Sequence, residues 1–388
     1  MGWMRETGSG VRGGVGRRRF VAAAGAVAAG AAGVAAGPAG ARRERRLFLG
    51  TYTSRPGGGS GIGLAGYDPA TGALTARGVV AGVADPSYLA LAPDRRTLYA
   101  VDERTDGAVT AVALPRGGDP VVLGSRSTGG DGPCHLSVHP GGRWLLSANY
   151  VSGSVAVHPI DPATGALGPR TDLVAHAFPP PGPGQTGPHA HQITTAPDSR
   201  HVLAVDLGND TVYTYRLDRR AGTLAPVAYA VLPPGSGPRH LTFHPSGAYA
   251  YLANEVGNTV AVCRYDPGSG RLVPGEPQST GTGPGVSYPA QLLVTRNGRF
   301  AFLANRGHNS LTRYAVADGG ARLRLLDTVP VGGDFPRQLA FSPDQRWLFA
   351  ANQKSGTVTV FAVDARSGAL TRTGAPFPAP MAVCALPC

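Results

Sequence analysis

The 388-residue chain carries 57 Gly and 35 Pro, only 7% aromatic residues and a formal charge of +12. Abundant turn formers with few aromatics suit many short strands joined by tight turns and argue against a chain built on long helices. The charge does not mark a nucleic-acid binder: Lys354 is the only lysine, and five Arg against one Glu fall in the first 41 residues. That leaves 31 basic against 23 acidic residues, +8, with no basic run beyond the first few positions.

In chain order, the first feature is "GRRRFV" (16–21), followed by an uncharged Ala/Gly-rich stretch and then "RRERR". Paired arginines before Phe, a mild apolar segment and a small-residue cleavage site at Ala39, Gly40 and Ala41 predict a twin-arginine-type export signal over 1–41. The stretch is too weakly hydrophobic for a membrane span. The expected location is therefore extracellular or in the cell envelope. Next comes "RLFLGTYTS" (46–54), a strand with no partner strand before it, and then "GIGLAGYDPATGAL".

From residue 86 one grammar repeats: Pro, a variable residue, a polar residue, an alternating apolar run, a turn, a second apolar run, then Asn or Asp. It occurs as "PSYLALAPDRRTLYAVDE" (86–103), "PCHLSVHPGGRWLLSANY" (133–150), "AHQITTAPDSRHVLAVDL" (190–207), "PRHLTFHPSGAYAYLANE" (238–255), "PAQLLVTRNGRFAFLANR" (289–306) and "PRQLAFSPDQRWLFAANQ" (336–353). Each is a β-hairpin by its alternation and its turn residues, and each is followed by further apolar stretches such as "GTVTVFAVD" (356–364). Four strands per unit of about fifty residues is the signature of propeller blades. "PMAVCALP" (380–387), aligned by its Pro-to-Pro spacing, completes a seventh blade with residues 46–54. The predicted fold is all-β: one seven-bladed β-propeller over 42–388, with four-stranded antiparallel blades, closed by N- and C-terminal strands sharing one blade. Cys134, Cys263, Cys384 and Cys388 are too few and scattered for a disulfide framework.

A hairpin returns the chain to where it began, so its entrance and exit lie on one rim of the central channel. The entrance residues are Ser87, Cys134, His191, Arg239, Ala290, Arg337 and, on this alignment, Met381. The exit residues are Glu103, Tyr150, Leu207, Glu255, Arg306, Gln353 and Tyr52. Stacking alone does not require unlike residues at equivalent positions, so this convergence of polar groups predicts a ligand pocket. The competing reading of Arg239 and Glu255 is a salt bridge closing a blade end. The following positions, including His135 and His240, are expected by strand alternation to point away from the channel and to hydrogen-bond between blades. His139 and His244, in equivalent turns, read as structural. His189 and His191 share a face, but no third ligand is near enough in sequence to predict a metal. No nucleophile elbow, Walker loop or dinucleotide fingerprint occurs in a suitable context. Attack by water with His191 or Glu255 as general base, and arginines holding negative charge, is the expected chemistry.

On "GTYT" (50–53), "GPHAHQI" (187–193), "GPRHLTFHPSGAYAYLANE" (237–255) and the terminal P-x-x-V-C strand, the chain resembles the seven-bladed lactonase family, which includes propeller-type 6-phosphogluconolactonases and carboxy-cis,cis-muconate cyclases. The resemblance implies hydrolysis of a lactone, or its reverse, with no obligatory metal or other cofactor. By matching motifs it implies His191, Arg239, Glu255 and, with less support from the motif, Arg306 as the catalytic set. His189, Arg337, Tyr52, Glu103, Tyr150 and Gln353 are the expected substrate-binding residues from the rim. The expected partner is a small-molecule lactone, phosphorylated or not. The sequence sets no oligomeric state. A muconate-type lactonising cyclase and a non-enzymatic ligand- or partner-binding propeller are the alternatives.

Overall fold

The computed structural model describes residues 44–177, 182 and 185–388. The expected export signal lies outside the described residues. Seven four-stranded antiparallel sheets follow one another around the ring. Their inner strands, in blades 1 to 7, are Leu89–Leu91, Pro133–Val138, Ala190–Thr195, Pro238–Phe243, Tyr288–Val294, Pro336–Phe341 and Ala382–Pro387. Blade 7 joins Ala382–Pro387 to Arg45–Thr51, which pairs with Gly61–Tyr67, and that strand in turn pairs with Leu74–Ala81.

The core sits between blades rather than within one. Each of seven buried apolar clusters is shared by two neighbours, so the ring is continuous. Phe48, Ile62 and Cys384 of blade 7 pack with Leu89 and Leu98 of blade 1, and Leu47 and Tyr67 pack with Phe349 and Val358 of blade 6. Alternation in the strands supplies these faces: one set of side chains meets the preceding blade and the other set meets the next. At Gly50 the approach of blade 1 leaves no room for a side chain, since a Cβ would lie 2.5 Å from Pro86 O and 2.9 Å from the Cys384 Cβ. Closure is reinforced by Thr51 Oγ1, which donates to Pro380 O at 2.5 Å.

Polar contacts fasten the turns to the next blade. His139 Nε2 donates to Ser199 O and His244 Nε2 to Gly298 O, both at 3.1 Å, while each Nδ1 accepts a backbone N–H of its own turn. This equivalence confirms the structural reading of both. The recurring exit asparagine also has a structural task. Asn149, Asn254, Asn305 and Asn352 each donate Nδ2 to a Ser or Thr hydroxyl five residues on, at 2.9–3.4 Å.

Two expectations are corrected. The first is alternation at the strand entrances. Register shifts fall between Pro133 and His135, Ala190 and Gln192, Pro238 and His240, Pro289 and Leu292, and Pro336 and Gln338. These are β-bulges, in which an extra residue breaks the two-residue period. As a result both Arg239 and His240, and both Cys134 and His135, face the channel. The second is the alignment of blade 7. Its bulge lies between Ala382 and Cys384, which pair with Thr51 and Gly50, so Val383 and not Met381 is the entrance residue. Met381 (φ 42°) instead occupies the left-handed position before the strand, as Gly132, Gly237 and Phe335 do.

Phe349 is buried and meets Tyr67 edge-on, with ring centroids 5.3 Å apart across the seam between blades 6 and 7. Phe349→Ala is expected to remove about 3–5 kcal/mol of stability, measured as a lower midpoint in chemical denaturation.

Candidate active site

The rim residues resolve into three groups around one mouth. In the first, Glu255 at the end of Tyr249–Asn254 receives two guanidiniums. Arg306 Nη2 lies 2.5 Å from Glu255 Oε2, and Arg239 Nε lies 2.9 Å from the same oxygen. The Arg239 N–H is not aimed at the carboxylate and Nε remains without a hydrogen-bond partner. Arg306 is further fixed by Tyr288 O and Pro289 O, each at 3.2 Å. Both arginines are buried, whereas the Glu255 side chain is 21% exposed. Burial works to raise the Glu255 carboxyl, but Arg306 and Arg239 outweigh it and hold it below the usual range. Burial and Arg306 bring Arg239 down to about 9, against the pull of Glu255, so it remains cationic at neutral pH.

In the second group Tyr52 donates to both oxygens of Glu103, at 2.9 and 3.0 Å. Arg337 Nη2 stands 3.8 Å from Glu103 Oε1. The "GTYTS" motif places Tyr52 here because Asp85 accepts Thr53 N at 2.6 Å and Ser54 N at 2.8 Å, tying the loop to blade 1. The third group is His189, Tyr150 and His191. His189 Nδ1 donates to Tyr150 O at 2.8 Å, and its ring stacks on Tyr150 at 4.6 Å. Tyr150 then meets His191 edge-on at 5.6 Å.

His191 is the bulged residue of blade 3 and is buried, and its Nδ1 has no partner. Burial first, then Arg239, Arg337 and Arg306, hold its imidazole well below the ordinary histidine range, so it is neutral. It opens on a cavity of about 20 Å³, room for one water. Cys134, Arg239 and Arg337 line the same cavity, with Tyr88, His135 and His240 as its floor. Below that floor the channel widens to a cavity of about 600 Å³.

All ten rim residues expected from the sequence are at this mouth except Gln353 in one respect: it is buried there, but its Oε1 has no partner and it joins none of the three groups. His135 does accept Ile193 N from the next blade, at 3.4 Å, as expected of it. His240 reaches only Thr242 Oγ1 of its own strand, at 3.4 Å. Gln192 and Gln338 make the stronger bridges, accepting Leu241 N at 2.6 Å and Ala385 N at 2.8 Å. No group of three or more His, Cys, Asp or Glu suited to a metal ion occurs among the described residues.

The sequence puts Cys134 on the rim without giving it a role, and gives Phe335 no place there. Cys134 donates its thiol to His191 O at 3.4 Å, and burial pushes that thiol up, which disfavours the thiolate needed of a nucleophile. Phe335 carries Arg306 at 5.4 Å and Lys354 at 4.5 Å from its ring centroid, despite φ of 66°. Its signal was position: it precedes "PRQ" where Gly132 and Gly237 precede the matching strands.

The family model described as "Lactonase, 7-bladed beta-propeller" matches residues 46–387. The chain is 33% identical to the 6-phosphogluconolactonase of Bacillus subtilis, over 87% of this chain and 96% of that protein. The solved structure of the periplasmic gluconolactonase of Pseudomonas aeruginosa is similar, with 32% identity, 89% of this chain and 99% of that one covered, and a TM-score of 0.83. A solved structure from Lactobacillus plantarum has the same identity and TM-score, with 89% of this chain and 100% of that one covered.

Burial, with His135 and Arg239, holds His240 well below pH 6.5 in the folded protein, whereas an unfolded histidine titrates near pH 6.5. The unfolded chain therefore takes the proton first, and stability falls as pH drops below about 6.5. His240→Gln, which copies Gln192 and Gln338, is expected to flatten that loss by about 1.4 kcal/mol per pH unit between pH 6 and 5, read from denaturation midpoints.

Proposed function

Because the chain belongs to the seven-bladed β-propeller lactonase family, we propose that it hydrolyses a sugar lactone at the channel mouth by base-assisted attack of water. The observation that carries this reading is His191 itself, a buried imidazole whose Nδ1 has no partner and which lines a one-water cavity together with Arg239 and Arg337. The water oxygen adds to the lactone carbonyl carbon while His191 takes its proton. The carbonyl oxygen becomes an oxyanion beside Arg239, which stabilises it more than the uncharged ground state. Collapse breaks the ring C–O bond, and the imidazolium returns its proton to the departing alkoxide, giving a hydroxy acid.

The electrostatics support His191 as base over Glu255. Glu255 is held ionised by two arginines and is correspondingly weak as a proton acceptor. His191 is depressed by burial and then by the same guanidinium field. An oxyanion forming in that field offsets it, so the imidazole grows more basic as the transition state develops. Glu255 fixes Arg239 and Arg306, and Arg337 with Tyr52 and Glu103 meets the hydroxyls or anionic group of the sugar. We read residues 1–41 as a twin-arginine export signal, which favours an unphosphorylated lactone encountered outside the cytoplasm.

Purified protein is expected to hydrolyse sugar lactones well above the spontaneous rate in a pH-stat assay, with phosphorylated and unphosphorylated substrates compared side by side. His191→Ala and Arg239→Ala are each expected to lower kcat by about 100-fold or more. Rates no better than buffer with folded protein would overturn the reading. A chelator is expected to leave turnover unchanged, since every group invoked is a side chain.

A further inference from the structure

The loop that presents His191 is fastened by a carboxylate that departs from the rule of the ring. Four blades close their second strand with an asparagine whose Nδ2 donates to a nearby hydroxyl. Blade 1 has Asp102, paired with the exposed Arg104. Blade 3 has Asp206, and its side chain is 0% exposed.

Asp206 has an unusual set of partners. One oxygen, Oδ1, accepts the backbone N–H groups of His189 at 2.7 Å, Gly208 at 2.9 Å and Asn209 at 3.2 Å. The other, Oδ2, accepts His176 Nδ1 at 2.6 Å, and the His176 side chain is likewise fully buried. His176 stacks on Tyr213 at 3.8 Å, and its Nε2 has no partner. Four hydrogen bonds thus converge on one carboxylate beneath the "PHAHQ" loop. The same loop is gripped from its other side, because Leu207 N donates to His189 O at 3.0 Å. At Gly208 a Cβ would collide with Gly187 O and His189 N, so the close seating of this loop also needs the missing side chain.

The consequence reaches the imidazole two residues on. With its backbone held by Asp206, His189 places its ring on Tyr150, and Tyr150 forms the wall against His191. An asparagine at 206 would keep one acceptor oxygen but present an N–H₂ group to His176, so the ring's usual residue cannot make this set with the same tautomer. We propose that Asp206 and His176 are a positioning pair that holds residues 187–192, and through His189 and Tyr150 the His191 imidazole, in working geometry. The proposal rests on His191 being the base of the lactonase reading.

The test compares His176→Phe, which keeps a ring against Tyr213 but loses the hydrogen bond, with His176→Asn, whose amide nitrogen reaches the Nδ1 position. Asp206→Asn runs beside them. In the full chain, His176→Phe is expected to lower kcat by about 100-fold with KM little changed, as a misplaced reacting group does. His176→Asn is expected to restore most of the loss. Hydrogen exchange of residues 187–192, followed by mass spectrometry, is expected to accelerate in His176→Phe and Asp206→Asn and to stay protected in His176→Asn. Unchanged exchange in both losing variants would overturn the pair's role whatever the turnover, as would failure of Asn to restore what Phe removes. Should the unmodified protein hydrolyse no lactone, the lactonase reading fails, and the exchange measurement still decides the positioning role.

Discussion

Everything at the mouth depends on the ladder between Leu47–Thr51 and Ala382–Pro387, which closes the ring. A site on the axis of a propeller belongs to no single blade. Glu255 of blade 4 meets Arg306 of blade 5, and Tyr52 of blade 7 meets Glu103 of blade 1. These pairs exist only while seven inter-blade clusters hold the circle at fixed radius. Local unfolding of one seam would therefore disperse the whole site, because no blade carries a complete part of it.

Charge at the mouth is unbalanced by design of the repeat. Two buried guanidiniums, Arg239 and Arg306, and a third that is 18% exposed, Arg337, face two carboxylates, and the buried Nε of Arg239 lacks a directed acceptor. Removing water from such groups is costly unless a partner arrives. On the proposed mechanism the same surplus of positive charge is available to an oxyanion, which is how a preorganised site stabilises charge that appears only during reaction.

Much of this was legible in the sequence because propeller blades repeat visibly. The hairpin grammar placed Tyr52, Glu103, Tyr150, His191, Arg239, Glu255, Arg306, Arg337 and Gln353 on one rim, and His189 beside them. Strict alternation, however, sent His240 away from the channel, because a bulge of one residue leaves no mark in the apolar pattern. The Pro-to-Pro spacing misaligned blade 7 by two residues, because its inner strand starts at Ala382 and not at Pro380. Asp206 was visible only as one more polar residue at a position where Asn and Asp alternate. Its burial, and its capture of His176 from thirty residues earlier, are tertiary facts.

Lys354 has its ammonium over Phe335, on the ring that also receives Arg306. It is the chain's only lysine. Apart from the terminal amine, reagents that acylate or alkylate amines have one address on this protein, and that address is the lip of the channel. Coupling to an amine-reactive support would seat the molecule mouth-down and obstruct entry, whereas a small environment-sensitive dye on Lys354 would report directly on what enters.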